Sequence, residues 1–231
     1  MIVPSREYVQ AVRRWCDETG ALMIVDEAQS GVGRTGRWFA VEHFGVVPDI
    51  ITTSKSLGGG VPLSGVTTTA EIADKVAELG YHQSSSHTDD PFLCAVGLAN
   101  IEIIERERLV ENAARQGAHL RARLDEMQRK YEIVGDVRSL GLMLGIEIVT
   151  DKQSKTPSGA HAGAISRYCR DHGLLLGHRS SGAVSGNIIR ILPPLILQRS
   201  EADAALVILE AAIEHASSTV RAKPVSGTAW M

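Results

Sequence analysis

Two short apolar runs, each ending in charged residues, dominate the pattern of the first quarter of the chain. ALMIV at 21–25 is apolar at every position and precedes Asp26 and Glu27, and IITTS at 50–54 precedes Lys55. A run that is apolar on both faces is typical of a parallel strand covered by helices on both sides. The pattern therefore predicts two strands of a parallel sheet with charged side chains at their carboxyl ends.

Helical and alternating periodicity predict the other elements. Helices are expected at 4–19, 70–80, 92–131 with a break near Glu107, 159–173 and 200–216; strands are expected at 63–69, in a hairpin within 132–150, at 174–177 and at 187–195. Ser200 and Asp203 occupy capping-box positions for the last helix. Residues 217–231 have no period and are expected to be a disordered tail. The order of elements predicts an α/β part up to the connecting helices, followed by a smaller α+β part.

Composition narrows the functional classes. The 231 residues are 44% hydrophobic and 22% charged, with a formal net charge of −3, and the basic residues form no block. This composition favours a globular protein and speaks against nucleic-acid binding. Three widely spaced cysteines fit a reducing cytoplasm. No apolar run reaches the roughly 18 residues that a membrane helix needs, so no membrane partner is expected.

Asp26 and Lys55 are the strongest candidates for chemistry, because ligands of open α/β sheets bind outside the carboxyl ends of the strands. A solvated loop or a simple Asp26–Lys55 ion pair would explain both residues equally simply. Gly58 to Gly60 follow the lysine and leave backbone without side chains beside it. This surrounding suits an amine that must reach the aldehyde of a flat cofactor and swing away again.

Two motifs carry a resemblance to a known family. IVDEAQSGVGRTG at 24–36 and PDIITTSKSLGGGVPLSG at 48–65, with Lys55 placed 29 residues after Asp26, resemble the class III, fold-type I aminotransferases, which use pyridoxal phosphate. The resemblance covers almost all of residues 1–216. It implies an α/β fold in which residues 1–131 are the C-terminal part of a large, mainly parallel-sheet, cofactor-binding domain with connecting helices, and residues 132–216 are a small α+β domain.

The resemblance implies a role for each matching residue of the first motif and for the lysine. Lys55 would bond the cofactor aldehyde and later move a proton. Asp26 would pair with the pyridine nitrogen and keep it protonated, which makes the ring an electron sink. Ala28 would pack on one face of the ring, and Gln29 would lie near the phenolic oxygen and the substrate.

Further roles fall on two later segments. Ser86 matches the hydroxyl that binds the cofactor phosphate across the dimer interface. Arg190 matches the residue that holds the substrate carboxylate, a task that suits a bidentate guanidinium, although an exposed strand charge is the alternative. Ser86, Thr88 and Asp90 match oxygen ligands of an alkali cation, K⁺ or Na⁺.

Within the family, three segments resemble the 2,2-dialkylglycine decarboxylases: SSSHTDDP at 84–91, DVRSLGLMLGIEIVTDKQSKTP at 136–157 and IIRILPPL at 188–195. The implied reaction is decarboxylation-coupled transamination of a 2,2-dialkylglycine with a 2-oxo acid. The alternatives are an aminotransferase for another amino acid or an ω-amine, and an inactive truncated fragment of such an enzyme.

The resemblance is partial at the front of the chain. The glycine- and serine-rich phosphate loop of the family and its ring-stacking aromatic residue have no counterpart here. Two or three strands also seldom make a stable domain. We therefore expect the C-terminal part of a larger cytoplasmic enzyme, which acts on amino acids and 2-oxo acids and forms a homodimer or tetramer at full length.

Overall fold

The computed structural model describes residues 2–81, 85–178 and 186–220. Within these residues the helices are α1 (Arg6–Thr19), α2 (Ala70–Glu78), α3 (Pro91–Arg106), α4 (Leu109–Lys130), α5 (Gly159–Asp171) and α6 (Arg199–Thr219). The strands are β1 (Ile24–Asp26), β2 (Ile50–Thr53), β3 (Gly65–Thr68), β4 (Val134–Leu140), β5 (Met143–Ile148), β6 (Gly177–His178) and β7 (Ile188–Ile191). Short 3₁₀ helices lie at Ala40–Phe44 and Lys55–Gly58. No helix in this described part of the chain is long and apolar enough to cross a membrane.

The first sheet has the order β1-β2-β3. β1 and β2 are parallel, as predicted, with Asp26 paired to Thr52, whereas β3 is antiparallel to β2. Asp49 fixes the other end of the parallel pair, because its Oδ2 accepts hydrogen bonds from the Met23 N–H at 2.6 Å and from Arg13 at 2.7 Å. The Met23 N–H and the Arg13 guanidinium hold the pKa of Asp49 below its ordinary value.

Helix α1 packs against this sheet through one apolar side. Ser5 caps the helix by accepting a hydrogen bond from the Tyr8 N–H, and Gly20 ends it in the left-handed conformation. Val9 and Val12 pack against a small core that contains Cys16 and Met23. The expectation that helices cover both faces of the first strand is wrong among the residues described here, because Ile24 is 62% exposed.

The second sheet is antiparallel throughout and has the order β4-β5-β7-β6. The predicted hairpin is confirmed as β4 and β5, and the break in the long helical region falls between α3 and α4, as predicted. One face of the sheet forms the main core with α4, α5 and α6, and its fully buried side chains include Leu144, Ile146 and Ile189. The opposite face carries charged side chains.

The loop after the first motif strand packs against the second sheet. The Leu142 N–H donates to the Arg34 carbonyl at 3.0 Å, and the Arg34 guanidinium donates to the Pro193 carbonyl. A Cβ on Gly141 would lie 2.3 Å from the Thr35 carbonyl carbon, and a Cβ on Gly117 would lie 2.3 Å from Gly141 backbone atoms. Glycine therefore permits the contact among this loop, the hairpin turn and α4.

Several boundaries differ from the predictions. β1 begins three residues later than expected and includes Asp26, while the predicted strand at 174–177 pairs only at its last residue and continues to His178. The last helix begins at Arg199 and continues to Thr219, so the first three residues of the predicted tail are helical; residues 221–231 lie outside the described part. The predicted capping role of Ser200 is wrong, because the Glu201 carboxylate accepts from the Gln198 N–H at 2.8 Å.

Gly117→Ala tests the close approach of α4 and the hairpin turn. In a free helix this change stabilises by about 0.5–1 kcal/mol, but here the new methyl group would clash with the backbone of Gly141. We expect the free energy of unfolding, measured with urea, to fall by about 2 kcal/mol or more. Gly173→Ala is the control: its φ is +85° in open space, so only the backbone strain of about 1 kcal/mol applies. An equal loss of unfolding free energy in the two variants would contradict the close packing of Gly117 against Gly141.

Candidate active site

Asp26 ends β1 with an exposed carboxylate. Its Oδ1 accepts two hydrogen bonds, from the Ala28 N–H at 2.9 Å and from the Thr52 hydroxyl at 3.2 Å. Its Oδ2 has no hydrogen-bond or ion-pair partner within the described residues. Gln29 is exposed just beyond, and Ala28 is half-buried. The carboxylate is thus oriented by neutral donors and keeps one oxygen for a ligand.

Glu27 holds the turn that carries these side chains. The residue is 1% exposed, and its carboxylate accepts from the Val41 N–H at 2.8 Å and from the Ser30 hydroxyl at 2.5 Å. Its backbone carbonyl accepts from the Gly31 N–H, and a Cβ at Gly31 would lie 2.9 Å from that carbonyl oxygen. The buried Glu27 carboxylate thus fixes the turn after β1 through its hydrogen bonds to a main-chain N–H and a hydroxyl group.

Lys55 lies at the same edge of the sheet as Asp26, two residues after the end of β2. It is exposed, and its φ of +48° places a non-glycine residue in the left-handed region, a strained conformation that proteins often hold at functional sites. It forms no ion pair with Asp26, so the simple ion-pair interpretation is not what this structure shows. A Cβ at Gly60 would meet nothing within 4 Å, which leaves open space close to the lysine turn.

Asn100 secures the lysine turn from α3. Its Nδ2 donates to the Ser56 carbonyl at 2.7 Å and to the Leu57 carbonyl at 3.3 Å. A Cβ on Gly59, which has a φ of +58°, would lie 3.1 Å from the Asn100 side chain. Sequence reasoning missed Asn100 and Thr52; the sequence signal for Asn100 was an amide in a mainly apolar stretch of predicted helix, which does not name its partners.

Arg190 lies in β7 on the charged face of the second sheet. Its direct neighbours on both sides are glycines, Gly145 on β5 and Gly177 on β6. It forms no ion pair with any carboxylate among the residues described. Arg138, in the same cross-strand row, is instead held by Glu147 at 2.7 Å. Arg190 is therefore a half-buried arginine that has no carboxylate partner within residues 2–81, 85–178 and 186–220.

The loop before α3 uses its polar groups locally. Asp90 caps α3 by accepting from the Phe92 N–H at 3.0 Å, and this hydrogen bond holds the pKa of Asp90 below its ordinary value. The Thr88 hydroxyl lies 2.8 Å from the Ser85 hydroxyl, and Ser86 is exposed. These contacts are made within the loop and to α3, and they do not test the predicted alkali-cation site of Ser86, Thr88 and Asp90, which stays a prediction.

A largely apolar cavity of about 470 Å³ reaches from α1 to the edge of the sheet at Asp26. It contacts Asp26, Glu27, Ser30 and Thr35 on one side and Leu140 and Met143 of the hairpin on the other. Lys55 is not part of its wall. The cavity thus reaches Asp26 from the side of α1 and the hairpin.

The chemistry of these residues fits an aldehyde-bearing cofactor with a basic ring nitrogen. An exposed primary amine and a carboxylate with one free oxygen stand at the ends of adjacent parallel strands. The turn that follows Lys55 leaves open space at Gly60, and backbone without side chains permits the close approach of a flat ring. Arg190 on the second sheet, which has no carboxylate partner in the described part of the chain, adds a group that binds carboxylates.

Comparison with known proteins gives concordant results. The family model described as aminotransferase class-III matches residues 1–213. A leucine/methionine racemase of Thermococcus litoralis is 42% identical over 213 residues, which are 92% of this chain and 46% of the racemase. A probable 4-aminobutyrate aminotransferase of Bacillus subtilis is 42% identical over 214 residues, 92% of this chain and 48% of that protein. A Bacillus anthracis aminotransferase structure aligns with a TM-score of 0.87 at 33% identity, over 93% of this chain and 49% of that one. The chain thus spans about half the length of the curated relatives it matches.

Glu27→Ala tests the hydrogen bonds by which Glu27 fixes the turn beside Asp26. The change leaves the buried Val41 N–H without an acceptor, so we expect the free energy of unfolding to fall by about 2–3 kcal/mol. Glu27→Gln is the control, because its amide can accept from Val41 and donate to Ser30, and it should cost less than half as much. Urea denaturation measures both, and an equal loss in the two variants would contradict the role of these hydrogen bonds.

Proposed function

Because this chain belongs to the class III aminotransferase family, we propose that it carries the lysine-bearing part of an enzyme that moves an amino group from an amino acid or ω-amine to a 2-oxo acid. The observation that carries the proposal is the placement of Lys55 and Asp26 on one edge of the parallel strand pair. Relatives named as 4-aminobutyrate and 5-aminovalerate aminotransferases support this substrate class.

The fold-type I class predicted from the sequence is confirmed by the solved transaminase neighbours, and members of this family depend on pyridoxal phosphate. When bound, pyridoxal phosphate supplies an aldehyde that reacts with amines and a ring that accepts electrons. The Nζ of Lys55 would bind the aldehyde carbon and carry a proton during the reaction. The carboxylate of Asp26 would hold the proton on the ring nitrogen.

The remaining site residues take supporting roles in this proposal. Arg190 would bind the substrate carboxylate, which is supported by its lack of a carboxylate partner among the described residues and by the glycines on either side. Ala28 would lie on one face of the ring, and Gln29 would lie near its phenolic oxygen. Ser86 would bind the phosphate in a dimer. Residues 1–131 and 132–216 would be the large-domain part and the small domain.

A second candidate is the decarboxylation-coupled transamination of 2,2-dialkylglycines. Its support is the HTDDP sequence at 87–91, in which the Thr88 hydroxyl lies 2.8 Å from the Ser85 hydroxyl and Asp90 caps α3. The relatives named above are one racemase and several aminotransferases, and none of those names is a 2,2-dialkylglycine decarboxylase. Amino-group transfer without decarboxylation is therefore the main proposal.

Lys55→Ala tests the lysine. After incubation with pyridoxal phosphate and reduction with borohydride, mass spectrometry of the unmodified chain should find the cofactor on the peptide that contains Lys55. Lys55→Ala should show no labelling at this position, whereas Lys75→Ala, which removes an exposed lysine on α2, should be labelled like the parent. Labelling elsewhere with an unlabelled Lys55 would contradict the assignment, and a chain that retains no cofactor would favour the fragment alternative.

A donor panel tests the substrate class. With pyruvate as acceptor, we expect alanine to form from 4-aminobutyrate or 5-aminovalerate, and no carbon dioxide or acetone to form from 2-aminoisobutyrate. Lys55→Ala provides the blank, because it lacks the proton-carrying amine. Carbon dioxide and acetone from 2-aminoisobutyrate would favour the second candidate, and no alanine from any donor would contradict an active chain.

A further inference from the structure

The two hydrogen bonds on Asp26 converge on a single oxygen. Ala28 donates from the main chain at 2.9 Å and Thr52 donates from its side chain at 3.2 Å, both to Oδ1. We propose that Thr52 is a positioning residue, whose hydroxyl holds Oδ1 so that Oδ2 faces the ring nitrogen of the cofactor. The inference rests on the proposed function, since it concerns the binding of that ring.

The main-chain donor alone leaves the plane of the carboxylate free to tilt. The carboxylate of Asp26 is exposed at the end of β1, and one hydrogen bond to one oxygen still permits rotation about the Cβ–Cγ bond. Thr52 lies directly opposite Asp26 on the neighbouring strand, so its side chain is on the same face of the sheet. A second donor from a different strand therefore fixes the plane of the carboxylate as well as its position.

The backbone of Thr52 is hydrogen-bonded to the end of β1. Its carbonyl accepts from the Glu27 N–H at 2.8 Å, immediately after Asp26. Because the same residue binds both the backbone and the side chain at the end of β1, the hydroxyl does not depend on a flexible loop for its placement. The donors to Asp26 are both neutral, and no cation among the described residues pairs with it. An Asp26 carboxylate that no described cation pairs with suits a protonated ring nitrogen.

The neighbouring Thr53 offers a matched control. Its side chain points to the opposite face of the sheet, is buried, and donates to the Gly65 carbonyl at 3.3 Å. Thr52→Val and Thr53→Val make the same chemical change at adjacent positions of β2. Thr52→Ser keeps the hydroxyl and should retain the parental behaviour.

The first measurement uses the chain without cofactor. Hydrogen exchange of the Ala28 amide, followed by NMR, should be about tenfold faster in Thr52→Val, because the acceptor of that amide is less well held. Thr52→Ser and Thr53→Val should leave this amide unchanged. Unchanged exchange in Thr52→Val would overturn the proposal, as would equal acceleration in Thr53→Val.

The second measurement separates positioning from general structural support. Thr52→Val should weaken the binding of pyridoxal phosphate about tenfold, but should not change the binding of an analogue in which a C–H group replaces the ring nitrogen. Equal weakening for both compounds would overturn the proposal. If the parent chain bound neither compound, the proposed function of this chain alone would fail, and the Ala28 exchange would still decide the role of Thr52.

Discussion

The parallel pairing of β1 and β2 is the constraint on which the candidate site depends. The register that places Asp26 opposite Thr52 brings Lys55 to the same edge of the sheet. A slip of one residue would turn every side chain of the strand to the other face, so the pairing must be fixed at its beginning. Asp49 does this from the amino end of β2 by binding the Met23 N–H.

The candidate reactive groups, Asp26 and Lys55, are exposed, whereas the groups that hold their turns are buried or half-buried. Glu27 and Asn100 use their side chains to bind main-chain groups around the Asp26 and Lys55 turns. Such hydrogen bonds stabilise because the buried partner would otherwise be left unsatisfied. The strained φ of Lys55 can persist on this support. Rigidity therefore comes from residues that contribute no chemistry of their own.

Periodicity predicted most helices and strands, because it depends on local spacing. It did not predict the exposed face of Ile24, since an apolar run indicates that a strand is covered but not which element covers it. The partners of Thr52 and Asn100 lie 26 and 43–44 residues away in sequence, and no local pattern records such contacts. Asp26 and Lys55 were accessible from the sequence because each ends a recognisable apolar run. The capping error at Ser200 has the opposite origin, because several polar residues near a helix start can serve as caps.

Two charged side chains that lack ion-pair partners among the described residues, Asp26 and Arg190, indicate which charges a ligand of the site would carry. Arg138 pairs with Glu147 and Asp136, whereas Arg190 in the same row has no carboxylate partner among the residues that the structure describes. Within these residues, Asp26 likewise accepts hydrogen bonds from neutral donors alone. The two groups belong to different sheets, which the Arg34 loop joins through Leu142 and Pro193. A ligand that contacted both would need a cationic part toward Asp26 and an anionic part toward Arg190.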